Sequence, residues 1–167
     1  MRYHLIERCS LVNLPGARTV LWTAGCPHHC EGCQNPHTWD PNGGKEFDAT
    51  AKELLFSYIA EPFCSGITFS GGDPFAPYNR AEVGKLVDEI AEKFPTKSIG
   101  LYTGYTWDAI LKELPNNPWL AKVEIIVEGP FILAERNVDR MWAGSDNQMI
   151  VDVKKSLLTG QIVPFDT

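Results

Sequence analysis

Two kinds of apolar pattern alternate along the chain. Short β-branched and aromatic runs at Thr19–Gly25, Gly66–Ser70, Ser98–Thr103 and Lys122–Gly129 read as strands, and Gln148–Val153 reads as a fifth. Helical spacing fills the intervals. Thr50 with Glu53 forms a capping-box pattern ahead of Leu54, Leu55, Tyr58 and Ile59. Asn79 with Glu82 precedes Val83, Leu86, Val87 and Ile90, which fall at i, i+3, i+4 and i+7. A short helix is expected near Trp107–Leu114.

Strands alternating with helices predict an α/β fold with parallel βαβ units. The units are too few for an eight-fold barrel of about 250 residues. The expected architecture is one domain over residues 1–167, an open, mostly parallel sheet or partial (β/α) barrel of about four to six strands. Ligands of such sheets sit at the strand carboxyl ends. The unusual segments fall there: "GCPHHCEGCQN" after the first strand, "SGGDP" after the second, "TGY" after the third and "EGPF" after the fourth.

Net charge is −6 with no run of lysines or arginines, so neither nucleic acid nor an anionic membrane is expected as a partner. No apolar run approaches the length of a membrane span, and "MRYHLIERCS" lacks the apolar region of a signal peptide. Five cysteines with no export signal argue for a reducing, cytoplasmic setting rather than a disulfide framework.

Three of those cysteines, Cys26, Cys30 and Cys33, are spaced C-x3-C-x2-C. One reading is a closed zinc site. It needs a fourth ligand, and His37 reaches more easily than His28 or His29, which lie between two thiols. The other is an iron–sulfur cubane, usually held by four thiolates, here with three and one iron left open for a substrate. Gly25 and Gly32 would let backbone N–H groups approach cluster sulfurs. The Glu31 charge beside the loop would lower the cluster's potential. Cys9 and Cys64 read as incidental or buried.

C-x3-C-x2-C after the first strand of a βα protein resembles the signature of the radical S-adenosylmethionine enzymes. "SGGDP" (Ser70–Pro74) resembles their glycine-rich segment for the methionine end of the cofactor. "VNLPGAR" (Val12–Arg18), "YTGY" (Tyr102–Tyr105), "EGPF" (Glu128–Phe131) and "WAGSDNQ" (Trp142–Gln148) are similar to one subgroup, the activating proteins of anaerobic ribonucleoside-triphosphate reductase. Similarity spans roughly Tyr3 to Val151. Departures are Gln34 where an aromatic is frequent, Ala143 where an arginine is frequent, and Leu14 in place of a common glycine.

The resemblance implies a radical-SAM-type fold and a 4Fe–4S cluster on Cys26, Cys30 and Cys33 whose open iron chelates S-adenosylmethionine. An external one-electron donor such as flavodoxin would drive cleavage to methionine and a 5′-deoxyadenosyl radical. That radical would abstract hydrogen from a glycine of the reductase's large subunit, or of another glycyl-radical enzyme such as a formate lyase. Cofactor contacts are expected from Gly32, Cys33, Gln34, Ser70, Gly71, Gly72, Asp73, Thr103 and Glu128. Tyr105, Trp142 and Asn147 are expected mainly to pack, and Arg18, Arg136 and Arg140 to form surface ion pairs. A chain that serves a protein substrate is expected to expose an apolar or aromatic rim around its site.

Overall fold

The computed structural model describes residues 1–167. In chain order the strands are β1 (Arg2–Ser10), β2 (Arg18–Thr23), β3 (Lys45–Glu46), β4 (Gly66–Gly71), β5 (Ser98–Tyr102), β6 (Ile125–Glu128) and β7 (Met149–Asp152). The α-helices are α1 (Ala49–Ile59), α2 (Arg80–Lys93), α3 (Trp107–Glu113) and α4 (Val153–Thr159). All strands join one open sheet in the order β3-β1-β2-β4-β5-β6-β7.

The centre is parallel as expected: β2 pairs β4, β4 pairs β5, and β5 pairs β6. Seven strands exceed the four to six expected, and the outer pairings are antiparallel. The physical reasons are local. Strand β1 has only two buried positions, Ile6 and Ser10, so it carries no alternating apolar signal. Strand β3 is two residues long. The connection from β6 to β7 contains no α-helix, so β7 returns beside its neighbour in the opposite direction. Two caps also differ. Asp48, not Thr50, accepts from the Ala51 N–H at the start of α1. Asn79 makes no cap bond and instead donates to the Ala24 and Asp73 carbonyls.

Successive strand residues point to opposite faces, and the two faces are built differently. Leu21, Ile67, Phe69, Ile99, Leu101 and Ile126 face the helices in a core with Leu55 and Ile59 of α1, Val83, Leu86, Val87 and Ile90 of α2, and Ile110 of α3. The opposite face has no helix. At its amino end it is covered by the β1–β2 connection, where Leu14 is fully buried among Ile125, Val127 and Ile150. Leu14 holds a left-handed backbone, φ 77°, a conformation that glycine adopts more readily than a residue with a side chain. It fits because Gly100 opposite it has no side chain; a Cβ there would collide with Leu14 Cδ1.

Arg18 completes this plug and is not a surface residue: it is 1% exposed. Its Nε donates to Thr68 Oγ1 (2.8 Å), Nη1 to Ser98 Oγ (2.6 Å) and the Pro15 carbonyl (3.2 Å), and Nη2 to the Ile67 (2.7 Å) and Ser98 (3.1 Å) carbonyls. No carboxylate pairs with it, and burial lowers its pKa to about 10. Beyond Arg18 and Leu14, the carboxyl half of this face stays open.

Candidate functional site

The open half is a cleft of about 660 Å³. Trp22 of β2, Ser70 and Gly71 of β4, and Tyr102 of β5 come from the strands themselves. Cys26, Cys30, Cys33 and Gln34 line one side, and Arg136, Arg140, Trp142, Ala143 and Gln148, from the β6–β7 connection, line the other.

Pairing of β2 with β4 sets Trp22 opposite Ser70 and Thr23 opposite Gly71, which brings the cysteine loop against "SGGDP". The Gly72 N–H donates to Thr23 O and the Asp73 N–H to Gly25 O, both at 2.8 Å. Glycine is required here on two grounds. Gly71 has φ 100°, and a Cβ on Gly72 would collide with the Gly25 carbonyl, one residue before Cys26. With the Gly72 N–H committed to the strand end, Ser70 supplies the open donor: its hydroxyl has no partner within the protein and borders the cleft.

The three thiols share the cleft wall, and the other two cysteines are elsewhere. Cys9 is exposed on β1; Cys64 is buried beside Thr19 and the Gly66 carbonyl, at the amino end of β4. The Asn35 N–H donates to Cys33 Sγ at 3.4 Å, the kind of N–H···S contact expected around a cluster. Burial pushes the Cys26 thiol up to about 11, opposed by the His28 and His29 N–H groups and reinforced by the Asp73 charge. A bound cation would hold it as thiolate. The zinc arrangement is not assembled. His37, the fourth ligand such a site would need, packs edge-on against His4, centroids 5.5 Å apart, and does not line the cleft. Three cleft-lining thiols, one already accepting an N–H bond, fit a cluster with three protein ligands.

The remaining expected contacts divide. Gln34 lines the cleft and is exposed, so its amide is free to meet a ligand. Thr103 borders the cleft, but its hydroxyl donates to Asp73. Asp73 is fully buried and its oxygens accept from Phe75 N, Thr103 Oγ1, Gly104 N and His28 Nε2. Gly32, at φ 74°, does not line the cleft; it packs the loop against Phe131 and Leu133. Glu31 is exposed and also lies off the cleft. Glu128 is not brought in either. Its carboxylate accepts from Trp107 N (2.6 Å) at the start of α3 and Met149 N (3.3 Å) at the start of β7, and burial raises its pKa against those two bonds.

Tyr105 packs edge-on against His28 and Phe75. The tail motif frames the cleft through Trp142, Ala143, Gly144 and Gln148 and is braced internally. Gln148 accepts from Gly144 N and Ser145 N and donates to Gly129 O, Asn147 donates to Pro130 O, and Arg140 donates to three carbonyls. Arg136 lines the cleft with no ion-pair partner. The rim is mixed: Val12 and Val138, 75% and 76% exposed, alternate with Asn13, Arg136 and Asn137. Trp22, Glu7, Tyr102 and His28 also line the cleft; of these the motifs mark only Tyr102, inside "YTGY", and His28, between two thiols. Trp22 and Tyr102 were findable, because each sits one position out of step with the apolar core residues of its own strand.

Comparison with known proteins agrees with the donor set. The model of the 4Fe–4S single cluster domain family matches residues 12–151. The anaerobic ribonucleoside-triphosphate reductase-activating protein of Enterobacteria phage T4 is 40% identical over 152 residues, 90% of this chain and 93% of the relative. Its counterparts from Vibrio cholerae and Escherichia coli K12 are 34% and 32% identical, each over 90% of this chain and 97% of their own length. The chain therefore belongs to the family of anaerobic ribonucleoside-triphosphate reductase-activating proteins, built on a 4Fe–4S single cluster domain.

Proposed function

We infer that the chain is a radical-SAM-type activase that installs a glycyl radical in anaerobic ribonucleoside-triphosphate reductase. The observation that carries this reading is the cleft itself, with three thiols, an unpartnered Ser70 hydroxyl and no fourth cysteine within it. When bound, the cluster and S-adenosylmethionine supply the chemistry: one electron cleaves the cofactor to methionine and a 5′-deoxyadenosyl radical that takes hydrogen from the reductase's glycine.

The chain's own residues bind, orient and shield. Cys26, Cys30 and Cys33 would hold the cluster through three thiolates and leave it open to the cofactor. Ser70, Gly71 and Gly72 would receive the methionyl end of the cofactor, and Gln34 and Trp22, also on the cleft wall, would flank the rest of it. Arg136 offers an unpaired cation to a carboxylate. Val12 and Val138 meet the protein substrate at the mouth.

Anaerobic reconstitution with iron and sulfide tests this. The expected product is a brown protein that, with S-adenosylmethionine and dithionite, yields methionine and 5′-deoxyadenosine. Adding the reductase should then give a glycyl-radical signal by electron paramagnetic resonance. A colourless protein with one tight zinc contradicts the reading. A radical on a formate lyase but not on the reductase would reassign the partner.

A further inference from the structure

The cysteine loop is weakly held by its own backbone. Residues 27–32 make no backbone hydrogen bond to anything outside the loop; the one bond nearby, Cys33 N to Cys30 O, is internal. Side chains do the anchoring. His29, at φ 47°, stacks on Trp39 with centroids 4.6 Å apart and planes 10° from parallel. Gly32 rests on Phe131 and Leu133. Between the first two cysteines, His28 turns its Nε2 to Asp73 Oδ2 at 2.6 Å.

Asp73 is the fixed partner in that contact. It is 0% exposed and receives Phe75 N at 2.8 Å, Thr103 Oγ1 at 2.9 and 3.0 Å, and Gly104 N at 3.0 Å. Its own N–H donates to Gly25 O. One buried carboxylate thus gathers the chain beyond β2, β4 and β5. A carboxylate only accepts, so His28 Nε2 carries the proton of the shared bond. The imidazole also has a shaped seat. It lies edge-on to Tyr105, centroids 4.7 Å apart, and a Cβ on Gly104 would come within 2.5 Å of its Cδ2.

We propose that His28 is a positioning residue for the cluster, fixing the Cys26–Cys30 segment through Asp73, and that Asp73 serves this latch rather than the cofactor's ammonium group. This rests on the cluster reading above. Removing His28 frees the loop between the first two thiols and leaves a buried carboxylate short of one donor. Changes to such outer partners of metal ligands typically cost about 10- to 100-fold in metal affinity.

Three variants of the full chain test it: His28→Ala, His28→Gln and Gly104→Ala. After anaerobic reconstitution, iron release to a chelator and the electron paramagnetic resonance change of the reduced cluster on adding S-adenosylmethionine are measured. His28→Ala and Gly104→Ala are expected to release iron about 10-fold faster or more and to blunt the spectral change. His28→Gln, whose amide can still donate to Asp73, is expected to recover most of both. Thermal midpoints of the cluster-free variants separate this from general loosening: loss of one of the donors to Asp73 is expected to lower that of His28→Ala by no more than a few degrees, and His28→Gln should stay near the native chain. Native iron release and spectral response in His28→Ala would overturn the proposal. So would His28→Gln behaving like His28→Ala. If the native chain takes up no cluster, the functional reading fails and this one falls with it.

Discussion

The two ends of the helix-free sheet face are built from similar residue types to opposite effect. At the amino end, Arg18 is buried and every donor group of its guanidinium finds an acceptor, while Leu14 fills the space left by Gly100. At the carboxyl end the Ser70 hydroxyl, the Arg136 guanidinium and three thiols border an open cleft. Buried polar groups are costly unless partnered. The satisfied end is therefore a structural plug, and the open end, whose polar groups face the cleft, is available to something bound. Between them, Asp73 belongs to the satisfied class although it lies in the glycine-rich segment, which is why it reads as a latch and not as a ligand.

This contrast can be broken from either end. The largest effect is expected from Cys33→Ala: cluster content and S-adenosylmethionine cleavage should be lost, with little change in the thermal midpoint of the cluster-free protein. Iron assay, product chromatography and calorimetry check it. Next is Gly72→Ala, whose Cβ would drive the Gly25 carbonyl and with it the start of the cysteine loop. Misplacement of about 1 Å costs roughly 100-fold in rate, so cleavage should fall by about that factor, measured as 5′-deoxyadenosine per cluster.

The plug should fail differently. Arg18→Ala removes the donor to two hydroxyls, Thr68 and Ser98, and three carbonyls, Pro15, Ile67 and Ser98, and a loss of about 3 kcal/mol in unfolding free energy is expected by urea titration. Such folded protein as remains should still take up a cluster. If it folds normally but takes up none, the two ends are coupled and the division is misplaced.

The smallest effect lies outside the cleft, at His4 of β1. Burial, chiefly, and the neighbouring His37 lower the His4 pKa below 6.5, with Asp40 opposing. The folded state then binds fewer protons than the unfolded one, so stability is fully present above about pH 6.5 and declines as pH falls toward the lower folded value. A His4→Asn variant should flatten the thermal midpoint between pH 7 and 5. A profile unchanged from that of the native chain would contradict the burial argument.

Much of this was legible in the sequence because it rested on local rules. The parallel strands, α1 and α2 follow from apolar spacing, and the cysteine loop lies at a strand carboxyl end because β2 stops at Thr23, just before Gly25. What stayed hidden was set by tertiary context. Strand β1 has too few buried positions to show a period, and β7 is antiparallel only because its connection carries no α-helix. Glu128 follows an apolar strand, as a ligand would, yet it turns to the backbone of Trp107 and Met149. Arg18 had no acidic neighbour in sequence to predict burial, since its partners are hydroxyls and carbonyls from β4 and β5. His28 was weighed as a metal ligand because only the fold brings Asp73 to it.

The most direct test of the open end compares the electron paramagnetic resonance spectrum of the reduced, reconstituted protein with and without S-adenosylmethionine. A cluster held by Cys26, Cys30 and Cys33 with one iron left to the cofactor should give a 4Fe–4S signal whose g-values shift on addition. A spectrum that the cofactor leaves unchanged, at concentrations where binding is otherwise detected, would mean that no iron is open to it.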